Sequence, residues 1–204
     1  MKSIILLMCV SAIATTPEAI INRTNELYNK LSGVEVHFKA DITTDKSGST
    51  HNFDGTIIFS GDKFVLHSTD MHVWYDGVTQ WNYKPKNNEV YVSRPEKSEM
   101  QKINPFMLLK DYKKDWKAAL TGESTSINAR QAYDIALTPK HKDDIEKIVL
   151  QIEKTSSMPT RITLYMLNET CNTITIKNIT EKKTAPEEFV FPSEKYRDVD
   201  IIDL

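Results

Sequence analysis

Cysteine is nearly missing from this chain of 204 residues, which contains only Cys9 and Cys171. Cys9 falls inside an apolar leader, so Cys171 would stand alone after processing and no intramolecular disulfide could form. Glycine is also scarce, with 6 residues, and none of them builds a GxSxG elbow or a glycine-rich phosphate loop. With CxxC missing too, the sequence marks of a serine hydrolase, a nucleotide binder and a dithiol oxidoreductase are absent. The five histidines, His37, His51, His67, His72 and His141, never recur at i,i+4 on a helical pattern, so neither a zinc site nor any other metal centre is expected. His37, His51 and His72 fall on wet strand faces and read as solvated imidazoles, and His141 shares a polar turn with Asp143 and Asp144. Twenty-six basic against 28 acidic residues leave a net charge of −2 with no basic stripe, which argues against a nucleic-acid partner. The expectation is therefore a protein with no catalytic residues and no cofactor.

The N-terminus differs in character from the rest of the chain. Lys2, the apolar run Ile4 to Val10 and the small-residue sequence Ala12-Ile13-Ala14 read as a secretory signal peptide over residues 1–14. That run is too short to cross a bilayer as a helix. A lipid-modified Cys9 would need a small residue where bulky Met8 stands. The remainder, 15–204, reads as one domain, since no linker, repeat or low-complexity run divides it. An oxidising destination without disulfides requires a core large enough to hold the chain by itself.

Thr16 and Pro17 open a helix whose apolar face is Ile20, Ile21, Leu27, Tyr28 and Leu31, with a stop expected near Ser32-Gly33. Period-two segments come next. Val36, Phe38, Ala40 and Ile42 alternate with Glu35, His37, Lys39 and Asp41, and Phe53, Ile57 and Phe59 with Asn52, Asp54 and Thr56. One dry and one wet face is the signature of an antiparallel sheet. Phe64 and Leu66 continue the dry face, and Asp76-Gly77 between alternating runs marks a hairpin whose second arm carries Trp81 and Tyr83. Asn104-Pro105 then starts a short helix bearing Phe106, Met107, Leu108 and Leu109 in succession. Four consecutive apolar residues cannot share one helix face, so this element is expected between two apolar surfaces, as a lid would be. Strands resume over Lys114 to Thr121, Arg130 to Leu137, Ile145 to Glu153, Ile162 to Met166 and Cys171 to Ile179, followed by the apolar knot Phe189-Val190-Phe191-Pro192 and a tail at Val199 to Ile202.

About eleven strands joined by short turns suggest a meander curling into an incomplete antiparallel β-barrel, mainly β with a few helices. Its interior is either a packed core or an apolar pocket, and the residues alone leave both open.

The ordered set Gly55-Thr56-Ile57-Ile58-Phe59, Lys63-Phe64, Asp76-Gly77 with Trp81 and Tyr83, Ile103 to Leu109, and Phe189 to Pro192 before Val199 to Ile202 resembles the LolA family of periplasmic outer-membrane lipoprotein carriers. The resemblance implies an incomplete barrel under an α-helical lid, with an acyl-chain cavity formed by Val36, Phe38, Phe53, Ile57, Phe59, Phe64, Leu66, Trp81, Tyr83, Ile162 and Leu164. Ile21, Leu27, Phe106, Met107 and Leu109 would belong to the lid. It implies a monomeric periplasmic chaperone that takes acylated lipoproteins from an inner-membrane ABC lipoprotein-release transporter to an outer-membrane acceptor. The alternative is a lipid- or lipoprotein-binding sensor or acceptor of the same architecture. The chain departs from the family at one point: the Arg-Pro pair after the second strand, whose arginine helps hold the lid, is replaced by Ser60-Gly61-Asp62.

Overall fold

The computed structural model describes residues 15–44, 49–96, 99–100 and 105–204, with 105–107 described by their backbone alone. The expected leader, the turn at 45–48 and the capping role of Asn104 lie outside the described residues. Helix α1 spans Pro17–Tyr28. Thr16 caps it, its Oγ1 accepting from the Ala19 N–H at 3.2 Å, and Pro17 occupies the first turn, where a missing N–H costs nothing. The helix stops at Tyr28, before Gly33. That glycine meets a different need, because a Cβ there would lie 2.6 Å from the Lys182 carbonyl oxygen. Two backbone segments approach closely at this point, and only glycine leaves room.

The strands are β1 (Val34–Thr44), β2 (Ser49–Ser60), β3 (Lys63–Ser68), β4 (His72–Tyr75), β5 (Gln80–Lys84), β6 (Glu89–Ser93), β7 (Trp116–Thr125), β8 (Gln131–Pro139), β9 (Ile145–Glu153), β10 (Pro159–Met166), β11 (Cys171–Glu181) and β12 (Asp200–Asp203). Helix α2, Pro105–Asp115, separates β6 from β7 and takes in Lys114, where the alternation suggests a strand. All twelve strands form one sheet in the order β12-β6-β5-β4-β3-β2-β1-β11-β10-β9-β8-β7. The expected single meander is thus two, β1–β6 and β7–β11, joined where β1 pairs with β11. The tail strand β12 adds in parallel beside β6. Between the described residues of β12 and β7 the sheet does not close, which makes it an incomplete barrel of antiparallel strands apart from that last addition.

Each face has its own core. The concave face carries the larger one, with Val36, Phe38, Phe59, Phe64, Ile135, Leu150 and Ile162 packed against Ile20 and Ile21 of α1 and Leu108, Leu109 and Tyr112 of α2. On the convex face, Ile58, Val65, Trp74 and Val90 are covered by Phe189 and Phe191 from the C-terminal segment. The apolar knot near the C-terminus is the cover of this second core.

Candidate functional site

Strand register builds the site. Val36, Phe38, Ala40 and Ile42 of β1 face the concave side, and β11 sets Ile176, Ile174 and Asn172 opposite Phe38, Ala40 and Ile42. On the other flank β2 sets Ile57, Gly55 and Phe53 opposite Val36, Phe38 and Ala40. These rows, with Leu66 of β3 and Ile162 and Leu164 of β10, enclose a half-open cavity of about 260 Å³. Burial grades along it: Val36, Ile57, Phe59 and Ile176 are buried at one end, whereas Ile42, Phe53, Leu164 and Ile174 are half-exposed at the other, which is the mouth. Phe38 lies on the wall because its cross-strand partner is a glycine. A Cβ on Gly55 would stand 2.6 Å from the ring's Cζ, so the ring rests where a side chain would otherwise be. Phe53 meets that ring edge-on at 6.2 Å.

Val36, Phe38, Phe53, Ile57, Phe59, Leu66, Ile162 and Leu164 all line this cavity. Phe64 belongs to the same concave core but is packed between the rings of Phe59 and Tyr75, at 6.3 and 5.5 Å, and plugs instead of lining. Trp81 and Tyr83 are not in the cavity. Tyr75 pairs with Gln80 across a turn of four residues, and a turn of even length sets Trp81 opposite Trp74 and Tyr83 opposite His72. Their side chains therefore lie on the convex face, against the second core. Gln80 and Asn82 take the concave face instead, where Gln80 Oε1 and Asn82 Oδ1 are buried without a hydrogen-bond partner. Ala40, Ile42, Asn172, Ile174 and Ile176 add to the lining, with Asp41 and Thr173 at its border, beyond the residues that the sequence singles out. The alternation Asn172-Ile174-Ile176 carries the signal, but its face is fixed only by pairing with β1.

The helices close the other end of the concave face. Ile21 and Leu109 are fully buried, Leu27 is half-exposed, and the side chains of Phe106 and Met107 lie outside the described residues. Polar contacts hold the helices, and the segment that follows α1, in place. Thr24 Oγ1, fully buried, donates to the Ser157 carbonyl at 2.8 Å, and Asn25 Nδ2 donates to the Leu109 carbonyl at 2.9 Å, tying α1 to α2. At the turn where the family arginine would stand, Ser60 Oγ donates to the Ser32 carbonyl at 3.2 Å. Nearby, burial and then the Asp62 carboxylate push the Tyr28 phenol up to about 12.

The convex face is polar beside its aromatic patch. Lys182 Nζ donates to Glu35 at 2.8 Å, and His67 and His72 meet through their Nδ1 atoms at 2.9 Å. Burial lowers the affinity of both imidazoles for a proton, and at His67 the charge of His72 adds to it. Among the described residues no cluster of three or more His, Cys, Asp or Glu is placed to hold a metal ion. Nor is any helix among them long and apolar enough to cross a membrane.

A family model described as outer membrane lipoprotein carrier protein LolA matches residues 10–168. Among solved structures, the chain is similar to an uncharacterized conserved protein from Thermus thermophilus, with a TM-score of 0.60 at 10% identity over 91% of this chain and 97% of that one. It is also similar to a DUF1329 family protein from Desulfovibrio piger, with a TM-score of 0.50 at 13% identity over 88% and 99%. A LolA superfamily protein from Nitrosomonas europaea aligns at 11% identity over 87% and 99%, with a TM-score of 0.47. At these identities the likeness is one of fold. No curated protein matches the chain.

Proposed function

The chain belongs to the LolA family of outer membrane lipoprotein carrier proteins, and from that premise we propose that it is a periplasmic carrier of acyl chains. The cavity of about 260 Å³ on the concave face carries the reading, because its walls are aliphatic and aromatic side chains apart from Asn172 at the mouth, which is open. Each methylene held in water costs about 0.8 kcal/mol, so an acylated lipoprotein leaves a bilayer only if another apolar surface receives it. A hollow that is small at rest, on the same concave face as helices held by a few hydrogen bonds, suits a carrier that must also release. In this reading an inner-membrane ABC lipoprotein-release transporter supplies the cargo and an outer-membrane acceptor receives it. No covalent step is involved.

Mass spectrometry of the protein purified from periplasmic extract tests the proposal. Acylated lipoproteins or lipids should co-purify with the natural protein and be lost from Ile174→Glu, which puts a carboxylate on the half-exposed cavity wall. Circular dichroism should show the variant still folded. If no acylated species accompanies the natural protein and none is taken up from phospholipid vesicles containing a triacylated peptide, the proposal fails.

A further inference from the structure

One polar side chain breaks the apolar lining. Asp41 and Thr173 border the cavity, but they pair with each other across β1 and β11, one step out of phase with Ala40, Ile42 and Ile174. Alternation sends their side chains to the convex face, where Asp41 accepts from Lys39 Nζ at 2.8 Å and Thr173 Oγ1 donates to Thr163 Oγ1 at 3.5 Å. Asn172 is in phase. It sits opposite Ile42 on one side and Leu164 on the other, so its carboxamide is placed on the concave face at the mouth. Its Oδ1 is buried and has no hydrogen-bond partner. A buried acceptor without a donor is unfavourable in the empty protein and becomes favourable once a donor arrives.

We propose that Asn172 selects acyl chains joined through an amide, its carboxamide turning toward the hollow to accept a hydrogen bond from the amide N–H while the hydrocarbon runs inward past Ile174 and Phe38. This rests on the acyl-carrier reading above and names its ligand class more narrowly. An ester presents oxygen acceptors only, and an ionised fatty acid brings an anion with no proton to give, so neither satisfies this atom. A chain buried with its tail at Val36 and Phe59 leaves its polar end at the mouth, which is where Asn172 stands.

The test compares N-methyldecanamide with methyl decanoate, equal in acyl length, as competitors of the neutral apolar dye N-phenyl-1-naphthylamine. The measured quantity is the ratio of amide to ester affinity, compared between the natural protein and Asn172→Leu so that hydration differences between the two ligands cancel. Loss of one hydrogen bond should lower that ratio by roughly tenfold. Asn172→Asp, which keeps an acceptor oxygen in the same place, should retain most of the preference and serves if the leucine variant does not fold. If both ligands displace the dye and the ratio is the same in all three proteins, head-group selection is wrong and the carrier reading stands. If neither ligand displaces the dye from the natural protein, the carrier reading falls and this inference falls with it.

Discussion

Glu153 is a carboxylate held by four side chains and lies far from the cavity mouth. It is 2% exposed and accepts from Ser126 Oγ at 2.8 Å, Asn128 Nδ2 at 3.0 Å and Ser156 Oγ at 3.1 Å, with Arg130 at 3.4 Å. Burial opposes its ionisation, but the bonds from Asn128, Ser126 and Ser156 and the Arg130 charge outweigh that and hold it below its ordinary value of 4.5. The unfolded chain therefore takes up the proton first as pH falls. The stability Glu153 contributes is whole above about pH 4.5 and is lost as the pH drops through the folded value. Glu153→Ala strands buried Ser126 and the turn at Asn128, at a cost of about 2–3 kcal/mol in urea denaturation at neutral pH. Glu153→Gln should flatten the acid limb of the stability profile, and an unchanged limb would show that other carboxylates set it. The histidine pair has the same sign for a different reason. Both folded values lie below 6.5, so its contribution is whole above that pH and declines as the pH falls beneath it. A first proton leaves one Nδ1 to donate and one to accept; the second removes the acceptor. Emission from Trp74, 5.8 Å from the His67 ring and 6.1 Å from the His72 ring, should change on that second protonation, and replacing both histidines by glutamine should abolish the change.

At the scale of elements, hydrophobic periodicity reads the strands well wherever one face is wet. The alternation in β1, β2 and β10 places Val36, Phe38, Phe53, Ile57, Ile162 and Leu164 on the wall where the register puts them. It misplaces Trp81 and Tyr83 because both faces of β5 are covered, and the size of a side chain does not say which face is the inside. Parity through the turn after Tyr75 gives the correct face from sequence alone. The knot Phe189-Val190-Phe191 is plain in the sequence, but the surface it covers exists only once β2, β3, β4 and β6 are paired. The contacts of Thr24 and Asn25 have no sequence signal, since their partners are main-chain oxygens 133 and 84 residues away. Asn25→Leu removes a side-chain bond that joins the two helices, so amides of α2 should exchange faster with solvent while the global transition moves by only about 1 kcal/mol. Gly55→Ala acts on the cavity itself. The new methyl would stand 2.6 Å from the Phe38 ring and 3.1 Å from the His67 carbonyl, so the ring must turn into the hollow. Stability should fall by about 1–3 kcal/mol, as in other overpacked sites, and affinity for decanoyl ligands should fall with it. Undiminished affinity would mean that Phe38 does not shape the binding space.

For the whole molecule, the order of strands is the feature that local patterns could not reveal. A meander is visible in the sequence, but the pairing of β1 with β11 joins segments from opposite ends of the domain, as Val36 beside Ile179 shows, and it is what turns two small sheets into one curved wall. The cavity lies across that seam, with β1 in the middle and strands of both meanders on either side. Its size then limits what it can hold at rest. A cavity of about 150 Å³ takes benzene, so a hollow of about 260 Å³ admits on the order of ten carbons. One short chain fits; a hexadecanoyl chain, and still more a triacylated group, requires partly buried residues such as Met71 and Met166, or the helices, to give way. Affinity measured by calorimetry across methyl esters of roughly 8 to 16 carbons should therefore rise by roughly 0.8 kcal/mol per methylene up to about ten carbons. Beyond that the increment should shrink, because each further methylene must displace side chains already packed. Asn25→Leu, by loosening α1 from α2, should move the break to longer chains while leaving the initial slope unchanged. A slope that continues unbroken to the longest ester in the natural protein would mean that the hollow is already long enough at rest, and that the helices play no part in admitting the chain.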